Sequence, residues 1–143
     1  MQLRSVKNAA DEIAANIEND NIFRFIDNIA YENAMQIILT DQNGVIWYRV
    51  DEYSSAYQIN QNPYREDSKL NWQIGMYQNL PEDYSSFLQK LLESTDGTIS
   101  YELVSDANST NLIYGKMISG IEKPLILYIN TPVGAVQSTI KIL

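Results

Sequence analysis

The chain has no cysteine and no histidine. Zinc sites built from those residues are excluded, as are nucleophiles that rely on an imidazole base. The missing cysteine leaves the compartment open. It suits an exported bacterial domain that needs no disulfide, and equally a cytosolic one. Positive charge is also scarce, with 10 Lys and Arg against 18 Asp and Glu, a formal net charge of −8. Without a basic patch to release counterions, nucleic acid and anionic membrane surfaces are not expected partners. No apolar run reaches the length of a membrane span, and nothing resembles a signal peptide. Carboxylates, Lys, Tyr and Ser remain for chemistry, and no cofactor or metal is expected.

What is present is a globular chain of 143 residues with 45% hydrophobic content, enough for one domain with one sizeable core. Leu3, Val6, Ala10, Ile13 and Ile17 are spaced three, four, three, four, the period of an amphipathic helix or a short heptad seam. Asn19-Asp20-Asn21 breaks it. A second helical phase follows through Ile22, Phe23, Ile26, Ile29 and Ala30. Residues 34–40 and 45–51 read as strands. LPEDYSSFLQKLLEST reads as a helix with Pro81 in its first turn, Glu82 and Asp83 at its positive end, and an apolar face of Tyr84, Phe87, Leu88, Leu91 and Leu92. Three strands follow, at 98–104, 111–119 and 124–130. Thr131 and Pro132 then suit an N-cap and first position of a last helix, with Val133, Val136, Ile140 and Leu143 on one face. An isolated helix of about 12 residues is marginal in water. The native chain is therefore expected to continue past Leu143. The parts are 1–31 terminal helices, 32–131 sheet core and 132–143 exit helix.

Between the first two strands lies Asp41-Gln42-Asn43-Gly44. Asn43-Gly44 is a hairpin signal, since both residues tolerate positive φ. A calcium loop would need oxygen ligands at its positions 1, 3 and 5 and Gly at 6. Asp41 and Asn43 meet the first two, but Val45 and Ile46 fail the others. Asp41 is expected to be a turn residue. Asp41, Asp51, Glu52, Glu102 and Asp106 could pair as catalytic acids only if the fold brought two of them together.

Strand runs joined by short loops imply an antiparallel sheet in an α+β fold. At both ends the chain resembles a known family. A helix leading into IILTDQNGVIWY resembles the start of an extracytoplasmic PAS-like (Cache-type) sensor domain. PLILYINTPVGAVQSTIKIL is similar to the last strand and exit helix of such domains in membrane sensor histidine kinases of Gram-positive bacteria. The resemblance implies a five-stranded PAS-like antiparallel sheet with a long N-terminal helix, a crossover helix and a C-terminal exit helix. It implies a parent anchored in the membrane, with this part outside the cell and the kinase catalytic part beyond residue 143. In that family the ligand lies between the sheet and the crossover after the second strand.

On that expectation the candidate ligand-binding residues are Trp47 and Arg49 on the second strand and Arg65 and Trp72 on the crossover, 52–79. Tyr101 on the third strand and Tyr114 and Lys116 on the fourth complete the set. An aromatic wall with one or two cations suits a small carboxylate or amino acid. The family's amino-acid-binding pattern places an Arg two residues before a Trp-Tyr pair. Here residue 45 is Val and Arg49 comes after the pair. The heptad spacing at both ends suggests a homodimer through the terminal helices. The alternatives are an interaction or dimerisation module without a small ligand, the sensor domain of a chemoreceptor, and a carboxylate enzyme.

Overall fold

The computed structural model describes residues 2–51, 80–104, 109–119 and 122–133. Arg65 and Trp72 on the crossover, and the exit helix expected over the last residues, lie outside these. Helix α1 (Gln2–Ala15) is followed by turns through Asn19-Asp20-Asn21 and by helix α2 (Ile22–Asn33). The break falls where the apolar period changes phase. Val6, Ala10 and Ile13 are fully buried, so the α1 seam is spent on the protein's own core. Leu3, at its start, is 48% exposed.

The sheet has five antiparallel strands in the order β2-β1-β5-β4-β3. They are β1 (Gln36–Asp41), β2 (Ile46–Asp51), β3 (Thr98–Val104), β4 (Thr110–Ile118) and β5 (Leu125–Pro132). Helix α3 (Tyr84–Glu93) precedes β3. The α+β antiparallel architecture expected from the sequence is present. One face, with Ile37, Leu39, Tyr48, Leu127 and Ile129, packs on α1 and α2. The other, with Ile38, Ile46, Ile113, Ile126 and Tyr128, packs on Tyr84, Phe87 and Leu91 of α3. β1 is buried along both faces, as its central run Ile37-Ile38-Leu39 requires.

The β1–β2 hairpin turns as the sequence reads. Gly44 takes φ +82°. The Asp41 carboxylate accepts the backbone N–H groups of Asn43 (2.8 Å) and Val45 (3.1 Å), which makes it a turn residue. One feature was not legible. Leu39 pairs with Tyr48, but Thr40 pairs with Ile46, so Trp47 is an extra residue in β2. This bulge reverses the alternation. Ile46 belongs to the α3 side, while Tyr48 and Val50 belong to the α1–α2 side.

Two sequence expectations are corrected. Thr131 and Pro132 do not start a helix; they extend β5 opposite Leu112 and Asn111, and Val133 N–H donates to Thr110 O (2.7 Å). The β1 pairing stops at Gln36 opposite Asn130, so among the described residues the strand pairing of β5 beyond that point is with β4. The Val133 N–H faces β4, and the proline nitrogen before it faces away from β4, so its missing N–H costs that ladder nothing. Pro81, expected in the first turn of α3, lies before the helix, while Asp83 stands at its positive end as the N-cap but makes no side-chain capping bond. The Asp83 carboxylate instead accepts the hydroxyls of Tyr101 (2.8 Å) and Tyr128 (3.1 Å). Burial first, and then Asp83, push both phenols up.

Helix α2 is fixed to β2 by Phe23, stacked on Tyr48 at 4.6 Å and 6°. Below it the Tyr48 hydroxyl donates to Asp27. Burial raises the Asp27 carboxyl above its ordinary value of 3.8, partly offset by that bond. A raised folded-state value means the folded protein holds this proton more tightly. The associated stability is complete below pH 3.8 and is lost as pH rises through the folded value. Asp27→Asn should therefore raise the urea midpoint at pH 7 more than at pH 4. Equal midpoint differences at the two pH values would contradict this.

Candidate functional site

Cross-strand partners share a sheet face, so the register lists what faces α3. One row runs Asp51, Gln36, Asn130, Ile113, Tyr101 across all five strands. The next runs Arg49, Ile38, Tyr128, Gly115, Ile99. Ile113, Ile38 and Tyr128 place both rows on the α3 side. Under α3 the face is apolar and aromatic. Toward β2 and β1, at the end where the chain leaves for 52–79, it turns polar.

The polar part is a continuous chain of side-chain hydrogen bonds across four strands. Arg49 Nε pairs with Asp51 Oδ2 at 3.1 Å. Gln36 Nε2 donates to Asp51 Oδ1 at 2.7 Å. Asn130 Nδ2 donates to Gln36 Oε1 at 3.3 Å, and Asn111 Nδ2 to Asn130 Oδ1 at 2.6 Å. Gln36 is buried and the other four are half-buried. The single cation and single anion of this row neutralise each other. Each amide retains hydrogen-bonding capacity beyond the bond it gives or accepts within the row.

The structure divides the sequence-derived candidates. Arg49 lies in the polar row, and Tyr101 lies on the same face at Asp83. Trp47 is the bulged residue, 42% exposed, and is not part of a regular alternation with Arg49 and Asp51. Tyr114 and Lys116 share a face, as expected, but it is the α1 side, across the sheet from Arg49. Tyr114 pairs with Ser100 and Ile129, and Lys116 with Thr98 and Leu127. Of the acids, Asp41 serves the turn, Asp51 is held by Arg49 and Gln36, and Glu102 is exposed. Glu52 and Asp106 lie outside the described residues. Among the described residues no three acids come together as metal ligands, and no helix is long and apolar enough to cross a membrane.

Gln36, Asn130 and Asn111 were missed in the sequence. Gln36 is the one amide inside the run AMQIILT, and the asparagines sit at strand ends, where they read as loop residues.

No family model matches the chain, and no curated protein does. Solved structures of similar shape exist. The C-terminal domain of a Streptococcus mutans protein superposes with a TM-score of 0.48 at 10% identity, covering 81% of this chain and 88% of that one. The PAS domain of a protein from Colwellia psychrerythraea gives 0.45 at 16% identity, covering 74% and 92%. A PAS domain from a two-component sensor histidine kinase gives 0.43 at 10% identity, covering 78% and 96%. Likeness at this level concerns shape and carries no argument about ligand or activity.

Proposed function

We propose that this chain is a sensory domain whose polar row, Arg49–Asp51–Gln36–Asn130–Asn111, receives a small uncharged ligand rich in hydroxyl or amide groups. The supporting observation is the hydrogen-bonded row itself, on a sheet face that is otherwise apolar. As a purely structural device it would be a poor choice, because well-packed apolar residues usually serve stability as well as a buried polar network does. Arg49 is engaged by Asp51, which moves the reading away from the carboxylate or amino acid that the sequence suggested.

In this reading the parent is a membrane-anchored two-component sensor histidine kinase, and the domain lies on the extracytoplasmic side. The terminal helices carry the signal to a kinase part outside this chain. A homodimer through them would use the outer face of α1, since Val6, Ala10 and Ile13 pack on the sheet.

The test is a thermal-shift panel of sugars, polyols, ureas and nucleobases on the whole chain. A ligand at a hundredfold excess over its Kd should add about 2.7 kcal/mol of stability. Replacing Gln36 and Asn130 together by leucine should abolish that shift while leaving the unliganded protein as stable or more so. Silence of the wild-type chain across the panel counts against the reading. So does a doubly substituted chain that still responds.

A further inference from the structure

On the opposite face of the sheet, a cleft of about 250 Å³ opens between α1 and the β3–β4 ladder. Lys7 and Asp11 stand one turn apart on its helical wall. The sheet wall carries Thr98 and Ser100 from β3 and Tyr114 and Lys116 from β4, with Asp96 just before β3. Tyr114 and Lys116 were expected to join Arg49 in one site; here they stand with Lys7, Asp11, Asp96, Thr98 and Ser100 instead, and the polar row lies across the sheet.

The charges in the cleft are sorted. At one end Lys116 Nζ lies 3.5 Å from Asp11 Oδ1. Asp96 is at the same end. Bonds from the Thr98 N–H and hydroxyl, both 3.0 Å, hold its carboxyl below the usual range, with Lys116 adding to the effect. One ammonium there serves two carboxylates, so that end is net negative. Lys7 makes no ion pair among the described residues, so its end is net positive. Hydroxyls also line the cleft: that of Thr98 is held at Asp96, Tyr114 is hydrogen-bonded to Thr98, and Ser100 lies opposite Tyr114 in the ladder. Ser and Thr at these positions leave open the volume that larger apolar residues would fill.

We propose that this cleft binds a small zwitterion, its ammonium toward Asp11 and Asp96 and its carboxylate toward Lys7. The cleft volume limits the ligand to a few carbons between its charges. A singly charged molecule would satisfy one end and leave the other unmatched. Binding ties α1, a terminal helix, to β3 and β4, and so gives the domain a ligand contact independent of the polar row.

The experiment is an NMR titration of the ¹⁵N-labelled chain with γ-aminobutyrate, with butyrate and butylamine as singly charged probes. Saturable amide shifts are expected in α1, at Thr98 to Ser100 and at Lys116, with the singly charged probes about tenfold weaker. Lys7→Gln, an exposed change that should not disturb folding, should weaken γ-aminobutyrate about tenfold. The Gln36→Leu, Asn130→Leu double variant should leave this binding unchanged, which separates it from the polar-row reading. The proposal is overturned by three results: no saturable shift at roughly 10 mM probe, shifts centred on Gln36 and Asn130, or equal affinity for the singly charged probes.

Discussion

Phe87→Ala should cost about 3–5 kcal/mol of folding stability, the range for deleting a fully buried aromatic ring. Phe87 is completely buried and is the central contact between α3 and the sheet. Its ring meets Tyr128 edge-on at 4.8 Å and 73°, and lies 5.5 Å from Tyr84. Such aromatic pairs add roughly 0.5–1.5 kcal/mol beyond burial, so the upper part of the range is expected. The loss is a large share of a typical total of about 5–15 kcal/mol. For a chain of this size it lowers Tm by roughly 10–20 °C. Leu92→Ala, on the same helix but 59% exposed, should stay within about 0.5 kcal/mol. Urea titrations followed by circular dichroism would measure both. A Phe87→Ala loss no larger than that of Leu92→Ala would mean that α3 is not held to the sheet as described.

That contrast also marks how far sequence reasoning reached. The apolar face of α3 was legible, because a period of 3.6 must bury something, and Tyr84, Phe87 and Leu91 are the part buried. The strand count, the antiparallel class, the Asn43-Gly44 turn and the break between α1 and α2 were legible for similar reasons. Local pattern and turn chemistry determine them.

What depended on pairing was not legible. A one-residue bulge at Trp47 changes which face of β2 meets α3, and nothing in VIWYRV announces it. The candidate site was read as one set, but register sends Arg49 and Tyr101 to one face and Tyr114 and Lys116 to the other. The amides of the polar row are far apart in sequence, and pairing alone aligns them. Pro132 misled because a helix start and a strand position whose nitrogen faces away from its ladder partner both tolerate its missing N–H.

Gly115 is the other residue whose role only the pairing reveals, and Gly115→Ala should destabilise by about 1–3 kcal/mol. A Cβ at this position would lie 2.5 and 2.7 Å from two ring carbons of Phe87 and 3.0 Å from Ile99 Cγ1. Real Cβ contacts are not that short, so something must move. The Phe87 ring cannot yield cheaply, because Tyr84 and Tyr128 flank it. Alanine also restricts the unfolded chain, a gain of roughly 0.4–1 kcal/mol, which the clash should exceed. The glycine thus sets how closely α3 lies on β4. If so, a smaller, more flexible partner should relieve the clash. Phe87→Leu alone should be destabilising, but Gly115→Ala combined with it should cost less than the sum of the two. A coupling of about 1 kcal/mol is expected, within the range for residues in contact. Strict additivity in that double-mutant cycle would show that α3 is kept off the sheet by something other than the Gly115–Phe87 contact.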